Sequence, residues 1–261
     1  MKGNKNGGKY LSIMKGNFIV MDYVTKIKET GETFDTTIVE EAEKGGIFKE
    51  NTVYEPMFIV VGNGWVLKKL DESLIGVNIN EAVTIEIPPE DGFGLRDPKK
   101  IKVIQLNKFR KQDVRPYPGA QVEIDGKTAI VRSVGAGRVQ VDFNSPLAGK
   151  TLIYDLTVKK VIEEKLEKVK ALIHRRIPSV DIEKFNLTVT DKKATIELPE
   201  EAFYLEGIQF AKRGLATDLQ NFFSPEKIIF TEVFTKPRPE SAEESPKQEG
   251  DLADTKPQSD P

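Results

Sequence analysis

Four short motifs lie in order between residues 31 and 94: Gly31-Glu-Thr-Phe-Asp-Thr-Thr37, Pro56-Met-Phe-Ile-Val-Val-Gly62, Leu74-Ile-Gly-Val-Asn-Ile-Asn-Glu81 and Ile87-Pro-Pro-Glu-Asp-Gly-Phe-Gly94. The signals around them are mostly those of strands. Phe18-Ile-Val-Met-Asp-Tyr-Val24 is apolar and β-branched, runs on through Thr25 and Ile27, and stops at Gly31-Glu32. Pro56 to Val61 ends at a glycine, and Ala82-Val-Thr-Ile-Glu-Ile87 alternates apolar with polar until Pro88-Pro89 breaks it. Val66, Leu67, Leu70 and Leu74 share one stripe, which predicts a short helix over Val66–Ile75.

From Lys99 the composition changes. Lys99, Lys100, Lys102, Lys108, Arg110, Lys111 and Arg115 cluster together. Three short strands follow at Gln121–Ile124, Thr128–Val134 and Arg138–Phe143, the first two joined by the hairpin pair Asp125-Gly126. Thr151 to Val161 alternates again in the style of the first region, so the economical topology is one β-domain interrupted by an inserted β-module at 99–143. Beyond it a helix at Glu163–Arg175, strands at Phe185–Val189 and Ala194–Leu198, a helix at Leu205–Phe223 and a strand at Ile228–Phe234 make an α-β-β-α-β unit at 163–236. Residues 1–16 are expected to be a disordered N-terminus, with Met14 an alternative start. Residues 237–261 read as a disordered acidic tail, too poor in apolar residues to offset the entropy of ordering.

Composition removes much chemistry. The 261 residues include no cysteine and one histidine, His174, so thiol nucleophiles, Cys-zinc sites and multi-histidine metal sites are excluded. His174, between a helix face and two arginines, reads as an exposed surface histidine. Gly62-Asn-Gly64 does not fit a phosphate loop, the Asp-Gly pairs are turns, and Glu40, Glu41 and Glu43 form a charged surface run. A net charge of −2 argues against a dedicated nucleic-acid binder. No membrane span or export signal is read, and a cytoplasmic location is expected. Neither a metal nor an organic cofactor is expected.

The four motifs, in their order, resemble the FKBP-type peptidyl-prolyl cis-trans isomerases. Pro146-Leu-Ala-Gly-Lys-Thr-Leu152 followed by a strand is similar to the re-entry point of the SlyD-like subclass, in which a chaperone module, the insert-in-flap domain, interrupts the catalytic domain. The region at 163–236 resembles the extra domain of the longer archaeal members. The resemblance implies an α+β fold: an FKBP-like twisted antiparallel sheet around a short helix (17–98 with 144–162), a small inserted β-module (99–143) and a C-terminal α/β domain. It implies a catalytic set of Tyr23, Asp35, Phe93 and Tyr154, with Phe34, Met57, Val66, Leu67 and Leu70 binding substrate. Met57, Leu70 and Phe93 stand where the best-known members carry Phe, Trp and Tyr. Trp65 is not assigned to the site.

The reaction so implied is rotation about Xaa-Pro bonds of unfolded or partly folded polypeptides, with chaperone capture by apolar residues of the insert such as Val139, Val141 and Phe143. The bland alternative for these three is the module's own core. Two rival readings stay open: a non-catalytic holdase, and an RNA- or ribosome-binding module using the basic cluster at 99–115. The amphipathic helices of 163–236 could pair two copies into a homodimer.

Overall fold

The computed structural model describes residues 12–110 and 114–234. Its first sheet is built on β1 (Phe18–Ile27). One edge of β1 pairs antiparallel with two short strands in succession, β2 (Thr33–Thr36) at its C-terminal end and β3 (Met57–Val60) at its N-terminal end. Between them lies α1 (Val39–Lys44), and after β3 come α2 (Lys68–Ser73) and β4 (Ala82–Ile87). The glutamates read as a surface run are the outer face of α1, which buries only Ala42.

The chain then leaves this sheet. β5 (Ile101–Gln105), α3 (Leu106–Arg110), β6 (Gln121–Ile124), β7 (Lys127–Gly135) and β8 (Arg138–Asp142) form a separate antiparallel sheet in the order β5-β8-β7-β6. Asp125 and Gly126 both take positive φ (52° and 73°), as the hairpin pair requires. The sequence reading missed β5, whose outward residues are Lys102, Val103 and Gln105. Val139 and Val141 are fully buried with Phe109 and Val131. The expectation that they present a client surface is therefore corrected: in a sheet this small, the alternate positions of β8 are needed for the module's own core.

The chain returns through β9 (Leu152–Ile162), which inserts between β1 and β4. The outgoing and returning segments form a neck. The Asp97 N–H donates to Asn144 Oδ1 (3.0 Å), Asn144 Nδ2 donates to the Asp97 carbonyl (2.9 Å), and the Gly149 N–H donates to the Gly94 carbonyl (2.8 Å). Arg96 pairs with buried Asp142, which also accepts from the backbone and side-chain N–H groups of Asn144. Burial opposes ionisation of Asp142. The Asn144 donors and Arg96 outweigh it and hold the carboxyl below the usual carboxylate range. A depressed folded-state pKa stabilises above the unfolded value and loses that contribution as pH falls through the folded one. Acidification below about pH 4 is accordingly expected to loosen this neck before the sheets melt. Amide exchange at Asn144 checks this; protection there unchanged at pH 3 would contradict it.

The remaining chain comprises α4 (Lys165–Arg176), β10 (Asn186–Val189), β11 (Lys193–Leu198), α5 (Glu200–Phe203), α6 (Ile208–Phe223) and β12 (Lys227–Glu232), with β11 antiparallel to β10 and parallel to β12. The helix expected from Leu205 starts later, because Gly207 takes a left-handed φ of 78° at its N-cap.

Both faces of β1 are used. Ile19, Met21 and Tyr23 pack on Leu70 and Leu74 around α2. Phe18 belongs, with Val60 and Ile162, to a second core that includes Val169, Leu172 and Ile173 of α4 and Leu215 and Leu219 of α6, with Val20 and Phe58 packed against it. The period-two alternation of the strand sends alternate side chains to opposite layers. Ordered structure also begins earlier than expected: Ile13 is buried and exchanges backbone bonds with Gly76 and Val77, which corrects the reading of residues 12–16 as disordered. Residues 1–11, Lys111 and the acidic tail lie outside the described residues. Among the described residues no helix is long and apolar enough to cross a membrane.

Candidate functional site

The site is set by three neighbouring strands and one helix. β2 brings the 35–37 segment against β1, where Tyr23 is held by its backbone. The Tyr23 N–H donates to Thr37 Oγ1 (3.0 Å), and its carbonyl accepts from Thr36 Oγ1 (2.8 Å) and from the Thr37 N–H (3.1 Å). This places Asp35 beside the Tyr23 ring, and the Tyr23 hydroxyl donates to Asp35 Oδ2 at 2.8 Å. Tyr154 of β9 sits opposite Thr25, so it shares the Tyr23 face of the sheet, and the two rings lie 5.9 Å apart.

The floor comes from the turn into α2. The Asp71 carboxylate, almost fully buried, accepts from the N–H groups of Gly62 (2.7 Å) and Gly64 (2.9 Å). Both glycines have positive φ, 82° and 66°, a conformation that costs other residues more. The tight turn so pinned delivers Val66 and Leu67 to the mouth of the site and seats Leu70 beneath it. Leu67 is the residue before the first helical turn, so the helix is shorter than Val66–Ile75.

Met21, Tyr23, Asp35, Met57, Val66, Leu67, Leu70 and Tyr154 line one small hollow of about 120 Å³. Seven of these were expected from the sequence. Met21 was missed, although it lies two residues before Tyr23 and hence on the same strand face. Two expected residues are elsewhere. Phe34 packs against the core edge and lines a neighbouring cavity with Asp35, Thr36 and Tyr54. Phe93 lies in the segment leading to the neck, 43% exposed, and does not line the hollow. His174, read as a surface histidine, reaches across to Glu55, with Nε2 2.6 Å from Oε1.

Electrostatically the hollow is apolar with one carboxylate at its rim. Burial, then the hydrogen bond to Asp35, then the charge on Asp35 push the Tyr23 hydroxyl far above the ordinary tyrosine range. Burial also raises Tyr154; the Thr25 hydroxyl pulls it down, and the Asp35 charge adds to the rise. Both hydroxyls therefore remain protonated donors at any physiological pH. Among the described residues the lining offers two tyrosine hydroxyls and one carboxylate set among aliphatic and thioether side chains. A larger cavity of about 450 Å³ exists in the inserted module, walled by Lys99, Lys100, Lys102 and Lys127 with Phe143. It is open and charged, and volume alone does not make it the site.

Comparison with known proteins gives concordant results. Two family models match: one described as "FKBP26, IF domain" over residues 102–147, and one described as "FKBP26_C-terminal" over residues 165–235. The chain is 36% identical over 149 residues to the "Short-type peptidyl-prolyl cis-trans isomerase" of Methanocaldococcus jannaschii, a match covering 57% of this chain and 94% of that protein. It is 28% identical over 136 residues to the "Probable FKBP-type 16 kDa peptidyl-prolyl cis-trans isomerase" of Pseudomonas fluorescens (50% of this chain, 79% of that protein). It is 26% identical over 135 residues to the "FKBP-type peptidyl-prolyl cis-trans isomerase SlyD" of Helicobacter pylori (49% and 72%).

Proposed function

The chain belongs to the FKBP-type peptidyl-prolyl cis-trans isomerases, and from that premise we propose that it turns Xaa-Pro bonds of unfolded or partly folded polypeptides in the hollow between Tyr23, Tyr154 and Leu70. The observation that carries this reading is the convergence of the aromatic pair, Asp35 and the aliphatic floor on one hollow.

Rotating an amide costs about 18–20 kcal/mol because resonance is lost. The planar amide is more dipolar than the twisted one, so water favours the planar form. A hollow lined by Met21, Met57, Val66, Leu67 and Leu70 withdraws that solvent from the imide. Lowering the barrier by ~4 kcal/mol gives roughly a thousandfold acceleration. The Leu67 backbone N–H, at the N-cap of α2, is proposed to donate to a substrate carbonyl. Asp35, by accepting from Tyr23, fixes the ring that forms one wall. In this role it is a positioning residue.

The insert is proposed to hold clients. Support comes from its surface, not from the buried residues of β8. Val103, Tyr117 and Val134 are exposed, and β5 and β6 are edge strands with backbone groups open to another chain. A protease-coupled assay on an Xaa-Pro tetrapeptide tests the catalytic half. The full chain is expected to accelerate exchange at sub-micromolar concentration. No acceleration at micromolar enzyme would return the protein to the holdase reading.

A further inference from the structure

The hollow is not closed on all sides. Tyr23, Asp35 and Met57 also line an adjoining cleft of about 390 Å³. The near wall is the segment Thr52–Pro56 that leads into β3. The far wall is the end of α4, with His174, Arg175 and Pro178. A polypeptide whose proline occupies the hollow and which continues to this side has to pass between the two. The C-terminal unit thus borders the path of the substrate as well as packing on the back of the sheet.

Two contacts fix this wall. His174 Nε2 meets Glu55 Oε1 at 2.6 Å, tying α4 to the opposite side of the cleft. The Arg175 guanidinium lies 3.8 Å from the centre of the Trp65 ring. Trp65 is itself set edge-on against Phe58 of β3 (5.7 Å) and Phe222 of α6 (5.9 Å), so the platform under the guanidinium belongs to both units. Neighbouring Arg176 is spent on Asp218, with two bonds of 2.7 and 3.0 Å. Arg175 has no carboxylate partner among the described residues. The two carboxylates lining the cleft are hydrogen-bonded within it, Glu55 with His174 and Asp35 with the Tyr23 hydroxyl, and among the described residues neither is paired with Arg175. A stacked guanidinium keeps its in-plane N–H donors free for oxygen acceptors, and a carboxylate matches them best.

We propose that Arg175 is a specificity-determining residue for the isomerase: it receives an acidic side chain of the client segment next to the proline, so that Xaa-Pro sites flanked by Asp or Glu on that side are favoured substrates. This rests on the reading of the hollow as the prolyl site, and the test separates the two. The probes are blocked peptides of eight to ten residues around one Xaa-Pro bond, carrying Glu, Gln or Lys in turn at each flanking position.

With the full chain, Glu is expected to exceed Lys in kcat/KM by about three- to fivefold at one or two positions on one side of the proline, the scale of an exposed ion pair. The difference should sit in KM and vanish in ~1 M salt, where screening extends over only ~3 Å. Arg175→Gln should erase the preference, Arg175→Glu should invert it towards Lys, and Arg175→Lys should restore much of it. A purely structural role for the arginine on Trp65 would shift all peptides together and leave their order unchanged. Absence of a charge preference in the full chain overturns the proposal, as does a Glu preference that survives Arg175→Gln. Failure to turn over any peptide, including the short tetrapeptide, overturns the prolyl-site reading and this inference with it.

Discussion

Replacing residues 99–143 by a short Gly-Ser linker is expected to leave tetrapeptide turnover within about twofold and to lower kcat/KM for a proline-limited refolding protein by about a hundredfold, the scale of a lost tethered binding step. The neck makes the excision feasible. Asp97 and Asn144 exchange hydrogen bonds, and Gly94 and Gly149 are bonded backbone to backbone, so the cut ends already lie side by side. Among the described residues, the lining of the hollow comes from positions between Met21 and Leu70 and from Tyr154, none of them in the excised stretch. The loss on protein substrates follows if a client held on the insert presents its prolines to the hollow at high effective concentration. Equal losses on peptide and protein would refute this division of labour, and no loss on either would remove the insert from the function.

Asp35→Ala should reduce kcat/KM on peptides by about 10- to 100-fold, or ~1.4–2.7 kcal/mol. The substitution takes away the acceptor of the Tyr23 hydroxyl, and a buried hydroxyl left without a partner costs about 1–3 kcal/mol. The ring can then leave the position at which it walls the hollow. If Asp35 works through Tyr23, the double variant Tyr23→Phe/Asp35→Ala should be no worse than the poorer single one. Additive losses would show that the carboxylate acts on the substrate independently of the tyrosine. In the unaltered chain both tyrosine hydroxyls have raised pKa values, so turnover should not fall as pH passes the ordinary tyrosine value of about 10. A decline centred there would assign a titrating hydroxyl to the reaction.

Long alternating strands were legible because each has enough positions to display its period. β1 and β9 emerge within a residue or so of their observed limits. Among the short strands, β6 was read to the residue, while β2 and β5 were not. β2 spans four residues and owes its place to the hydroxyls of Thr36 and Thr37 bonding Tyr23, a tertiary effect with no local signature. β5 hides among lysines because its sequence supplies few buried positions. Seven of the nine expected site residues line the hollow. Phe34 alternates with Asp35 along β2 and so takes the other side of that strand, and Phe93 lies in the loop before the neck, whose packing the resemblance does not fix. The cleft beside the hollow exists only because α4 docks on the sheet, and neither its charge pattern nor the role of Trp65 could be read from spacing.

The two-sided use of β1 has a consequence for shorter proteins of this design. Phe18, Val20, Phe58 and Val60 form an oily back to the sheet that is shielded here by α4 and α6. A polypeptide stopping after Ile162 would hold the same hollow yet bare that surface to water, inviting self-adhesion. A minimal version therefore cannot be obtained by trimming; those outward positions would have to be rewritten with polar side chains.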